Sequence, residues 1–169
     1  MIRQLTIPLS REAVETLRVG DTVELSGAII CGRDAVLPRV LEMIREGRTE
    51  ELGIDLNGQV IFHTAVSPAG VGPTSSNKLE IESSIAPLSA AGVLLHLGKG
   101  ALHAETVAAL QSYGAVYAVI PPVTALLGQK TRSARVLAFP ELGMEALHLI
   151  EVDRFPAIIG AAGGRSIYE

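Results

Sequence analysis

The sequence predicts a single α/β domain with a mostly parallel or mixed central sheet, and three observations carry that expectation. Short β-branched runs alternate along the chain with stretches of helical periodicity, the order in which strand–helix–strand crossovers are laid down. Of the 169 residues, 48% are apolar and only 19% charged, enough to bury a core and too apolar for wholesale disorder. Aromatic residues are scarce at 4% and Trp is absent, so that core must be aliphatic.

The elements follow in order. Residues 2–9 alternate loosely and read as an edge strand, after which Ser10 caps a short helix to Leu17 that Gly20 and Asp21 end. Residues 22–30 (TVELSGAII) form a strand rich in β-branched side chains. A helix then runs to about Glu46 with Val36, Val40, Met43 and Ile44 along one stripe, begun either by Asp34 as cap or by Pro38 at its first position. Residues 52–57 are a loop, 60–66 the next strand, and 67–76 a long Gly/Pro/Ser loop of the kind that serves function in compact domains. Two helical stretches (78–83 and 87–91) precede a strand at 93–97, a helix at 105–112 stopped by Gly114, and an apolar strand at 115–120. Residues 123–129 are helix-prone, 136–139 and 147–152 read as strands, and 158–169 is Gly-rich and weakly specified. No repeat or interdomain linker interrupts residues 1–169.

Composition excludes several roles. A net charge of −4 leaves no basic footprint, so nucleic acid is not an expected partner. The single cysteine, Cys31, forbids an intrachain disulfide, suits a reducing compartment, and cannot alone hold an iron–sulfur cluster or a Cys-based zinc. The longest apolar runs, such as 86–97, fall short of the roughly 20 residues a membrane span needs, so no membrane association is expected. The opening Met1-Ile2-Arg3-Gln4 begins a strand-like alternation rather than a signal peptide, and the expected location is the cytoplasm.

Four polar clusters sit at strand ends, where α/β folds place ligands. Gly32-Arg33-Asp34 follows the 22–30 strand; Arg33 can fork onto a ligand carboxylate, or simply form a surface ion pair beside a capping Asp34. In Gly72-Pro73-Thr74-Ser75-Ser76-Asn77-Lys78 a turn hands over to a helix start, with hydroxyls and a lysine one turn on. It is an anion cradle or an ordinary Ser/Thr cap. Gly98-Lys99-Gly100 lacks the P-loop spacing, because Gly100 stands where Ser or Thr should hold magnesium, yet its glycines let a ligand approach the backbone. Glu145, within Gly143-Met144-Glu145-Ala146-Leu147, is an acid, an orienting partner for one of the cations, or a structural ion-pair member. His63, His96, His103 and His148 show no metal-ligand spacing and are expected in structural roles, and Cys31 is expected as a small core residue.

In sequence order, GDTVELSG, RD, GPTSSNKLE, GKG and GMEAL resemble the β subunit of the iron–sulfur-dependent class I fumarate hydratase and L(+)-tartrate dehydratase family. That family runs G-D-x-x-x-x-S-G, A-R-D, G-P-T-T-x-x-R-M-D, G-K-G and E-M-E-A with similar gaps, so the resemblance spans about 20–152. It implies a swivelling β/β/α domain that closes over a partner's cluster. It further implies that Arg33 binds a substrate carboxylate, that Thr74 is the candidate catalytic base, and that Lys99 and Lys78 are substrate-site cations, with Gly72 and Ser75 beside them. Lys78 stands where the family has Arg, Leu37 about where it often has His, and Pro121-Pro122-Val123-Thr124-Ala125 where it has G-G-x-A-A. The implied cofactor is a [4Fe–4S] cluster held by a cluster-bearing α subunit rather than by this chain. The implied assembly is a heteromer acting on a small dicarboxylate. Fumarate hydration is the activity expected first, and dehydration of tartrate or another hydroxy-diacid the alternative. A non-catalytic dicarboxylate- or anion-binding module would use the same cations but need no Thr74.

Overall fold

The computed structural model describes residues 2–67, 70–74, 78–120 and 131–168. Four parallel pairings build its frame. The edge strand β1 (Ile2–Thr6) lies along β2 (Thr22–Cys31), which continues to β3 (Val60–Phe62), β6 (Leu95–Gly98) and β7 (Val116–Val119). The long strand β9 (Leu147–Ala162) runs antiparallel and pairs with both β7 and β2, so that β2, β3, β6, β7 and β9 close into a ring. β8 (Thr131–Ala138) and the short β10 (Arg165–Ser166) add to β9. Mixed strand directions and interleaved helices are the α/β class expected.

Alternation along each strand sorts side chains between the inside of this ring and its helix-covered outside. Ile29 and Cys31 of β2, Val60 and Phe62 of β3, Leu95 and Leu97 of β6, and Phe155, Ala157 and Ile159 of β9 share one buried cluster. Their neighbours Ile30 and Ile61 face the other way, onto α2 (Leu37–Arg45), where Val36, Leu37, Val40 and Met43 are buried. α4 (Ala104–Ser112) buries Val107 and Leu110 against Tyr117 and Ala161. The interior is largely aliphatic as composition required, with Tyr117 buried and Phe62 and Phe155 meeting edge-on at 5.9 Å. A register shift after Leu25 lets β2 follow the ring; Gly27 sits there at φ +125°, and a Cβ would lie 2.9 Å from the Ile7 carbonyl.

Near the amino terminus, Ser10 caps α1 (Arg11–Glu15), its hydroxyl accepting from the Ala13 N–H at 3.2 Å. α2 begins with Pro38 in its first turn, and no side chain, Asp34 included, bonds its cap.

Four expectations need correction. The strand expected over 60–66 is divided at His63 into β3 and β4 (Thr64–Ser67). β4 pairs antiparallel with β5 (Gly70–Thr74), so part of the expected long loop is a two-stranded ribbon. The two helical stretches are one helix, α3 (Lys78–Ala90), with Pro87 inside; Ile85 and Leu88, both fully buried, hold it through the proline. The weakly specified tail belongs largely to β9 and β10, because ladder bonds to β2 and β7 override its glycines. The helix expected over 123–129 lies outside the described residues. Among the described residues no helix is long and apolar enough to cross a membrane.

Candidate active site

The parallel strands β2, β3 and β6 all end on one rim, and β9, being antiparallel, begins there: Cys31 pairs with His148. Two residues past Cys31 stands Arg33, and three before His148 stands Glu145. Their side chains meet in a two-pronged pair: Nε donates to both carboxylate oxygens at 2.9 Å, and Nη2 to Oε2 at 2.5 Å. Each side chain is about a quarter exposed, at 27% and 26%. Glu145's hydrogen bonds hold the Arg33 guanidinium above its ordinary pKa, with slight burial pulling the other way. Nη1 has no partner among the described residues. Gly32 makes the approach possible, since a Cβ there would lie 2.7 Å from Val36. Glu145 is delivered by a 3-10 turn (Pro140–Glu145) that Gly143 bends at φ 60° and that Arg39 pins through Glu141 at 2.9 Å.

The second cation, Lys99, is exposed on the turn leaving β6. Beneath it the fully buried Tyr117 donates its hydroxyl to the Gly100 carbonyl at 3.1 Å. A Cβ at Gly98 would meet that same oxygen at 3.1 Å. The flanking glycines thus answer to a buried phenol as well as to any ligand. The signal was a single polar side chain inside the otherwise apolar Ala115–Ile120 run, which sequence reasoning passed over.

Thr74 ends β5 and is in register with Thr64, while Lys78 opens α3 and Gly72 lies within β5; Ser75 lies outside the described residues. β4 leaves β3 directly after His63 on the same rim, and the antiparallel ribbon turns back so that Thr74, opposite Thr64, returns to that strand end. Sequence reasoning also passed over a buried polar chain here. His63 Nε2 and His96 Nδ1 are 3.1 Å apart, and His96 Nε2 lies 3.0 Å from Ser89 Oγ. Burial holds His63 down to about pKa 4 and His96 well below its ordinary range, so both rings are neutral near pH 7. The three residues link the end of β3, the strand leading to Lys99, and α3. The chain was invisible beforehand because 33 positions separate the two histidines.

The sequence signature of the family described as Fumarase C-terminus matches residues 2–169. The chain belongs to that family. Its similarity extends to a putative L(+)-tartrate dehydratase subunit beta of Methanocaldococcus jannaschii, 32% identical over 95% of this chain and 88% of the relative. The L(+)-tartrate dehydratase subunit beta of Escherichia coli K12 is 30% identical over 94% and 82%. The anaerobic class I fumarate hydratase of Escherichia coli K12 is 30% identical over 94% of this chain but only 29% of its own length. All three names denote hydro-lyases. Among the described residues there is no seat for the cluster that the resemblance implies. Burial pushes the Cys31 thiol far up, away from the thiolate a cluster ligand must be, and no three His, Cys, Asp or Glu gather as ligands among the described residues.

Proposed function

We propose that this chain is the β subunit of an iron–sulfur-dependent hydro-lyase that interconverts fumarate and L-malate, its cluster held by a separate α subunit. The observation that carries the reading is the single rim on which the paired Arg33, the Lys99 turn and the β3–β4 junction leading to Thr74 come out together. The partner's cluster supplies the Lewis acid for the hydroxyl. This chain supplies the rest.

Removing a proton beside a carboxylate builds a doubly charged aci-carboxylate, which needs cations already aimed at it. Arg33 binds a substrate carboxylate through Nη1 while Glu145 holds Nε and Nη2. Lys99 and Lys78 neutralise the developing charge, and Gly72 and Ser75 line the same segment. Thr74 takes the proton. Its hydroxyl is far too weak an acid to do so unaided near pH 7, so the adjacent cations must favour its ionised form.

Dehydration of L(+)-tartrate is the second reading, favoured by the relatives matched over most of their length, which carry that name. The test is anaerobic co-expression with the cluster-bearing neighbour and steady-state assay on fumarate, L-malate and L(+)-tartrate. Turnover of fumarate and malate with kcat/KM well above that for tartrate supports the first reading; the reverse ranking replaces it with the second. A complex that binds these acids without turning any over is a binding module.

A further inference from the structure

Glu82 lies on α3 four residues past Lys78, and its side chain is only 7% exposed. A carboxylate so enclosed is costly unless donors meet it. Three do, all from the start of α4. Thr106 Oγ1 donates to Oε1 at 2.6 Å, the His103 backbone N–H donates to Oε1 at 2.8 Å, and the His103 ring donates from Nδ1 to Oε2 at 2.6 Å. Burial pushes the Glu82 carboxyl up, and these donors more than offset it, leaving the group below its ordinary pKa and ionised at neutral pH. The His103 side chain makes no cap bond of its own to α4; the donors at this helix start turn to another helix instead.

The consequence is geometric. The turn that carries Lys99 is held at one end by Tyr117 on Gly100 and at the other by Glu82 on His103. Glu82 belongs to the helix that Lys78 opens. We propose that Glu82 is a positioning residue, a clamp fixing the Lys99 turn against the Lys78 end of α3 so that the two lysines keep the spacing a diacid requires. The inference rests on the diacid site proposed above.

The test is Glu82→Gln in the co-expressed complex, read by amide hydrogen exchange and by steady-state kinetics on fumarate, L-malate and L(+)-tartrate. Gln keeps the shape, loses the charge and one acceptor oxygen. Exchange should quicken at least about tenfold over 98–107 and 78–84 while the rest of the chain is unchanged. KM should rise roughly tenfold to a hundredfold with kcat moving far less, since misplaced cations weaken ground state and transition state together. Unchanged exchange, or a lower melting temperature with wild-type KM, overturns the clamp. Should Glu82→Gln fail to fold, Thr106→Val removes one donor and must give the same local pattern at smaller size; a wild-type pattern there also overturns it. A wild-type complex inert toward all three acids overturns the diacid site and the positioning role with it. Unchanged exchange in an active complex overturns the clamp alone.

Discussion

Arg33 forms the ion pair that was one of the two readings sequence left open. Its Nε and Nη2 bond Glu145, and the substrate contact proposed above falls to Nη1. A pair still in reach of solvent, each side chain about a quarter exposed, contributes on the order of 1 kcal/mol, so its value lies in aim rather than stability. Arg33→Ala and Lys99→Ala should therefore leave the thermal melt within a few degrees of wild type. Each should lower kcat/KM by roughly 100-fold or more, the scale of losing one preorganised charge stabiliser. Arg33→Lys should not rescue, because a point charge cannot hold Glu145 and a ligand along two edges of one plane. Near-normal turnover in both alanine variants would return these cations to the surface. Thr74→Val keeps the branched shape and removes the oxygen. If Thr74 is the base, kcat drops by several orders of magnitude with substrate binding largely kept. A stability loss with normal turnover would defeat that role. Arg33, Thr74, Lys78 and Lys99 could be proposed from sequence because each stands in a short motif at a strand end. Tyr117, His63 and Glu82 were not, because their roles depend on partners far along the chain.

Among the elements, the junction from β3 through the β4–β5 ribbon to α3 departs most from expectation, and buried histidines sit under it. His63 has its ordinary pKa of 6.5 in the unfolded chain and about 4 in the folded one, so the unfolded state binds more protons between those values. Stability is therefore complete above pH 6.5 and falls as pH drops toward 4, by about 3 kcal/mol for a shift of this size. His96 is displaced in the same direction and adds to the slope. Denaturant melts from pH 7 to 4 should show this loss, and His63→Gln combined with His96→Gln should flatten it. An unchanged slope in that double variant would mean carboxylates govern the acid limb. The α3 helix carries a related lesson. Two helical stretches were expected, the second beginning at Pro87, and the full burial of Ile85 and Leu88 around that proline joins them into one.

For the whole molecule, β9 is decisive, because a ring of β2, β3, β6 and β7 closes only through its antiparallel passage between β7 and β2. Phe155→Ala, at the centre of that closure with no exposed surface, should cost about 3–5 kcal/mol in chemical denaturation. A loss below about 1 kcal/mol would show the ring interior able to collapse around the gap. The purified chain alone should fold, carry no iron–sulfur absorbance and catalyse no hydration. Anaerobic mixing with the cluster-bearing partner should restore turnover, and activity of this chain alone would end the division of labour. The sequence by itself determined the α/β class, the aliphatic core, the strand-end motifs and the family, since these reside in local periodicity, composition and short contiguous runs. Only the tertiary structure decided that the sheet closes on itself, that Arg33 is aimed by Glu145, and that buried Tyr117, His63, His96 and Glu82 brace the rim. Each of these is a contact between residues far apart in the chain, and long-range pairing leaves no periodic trace for either partner to announce.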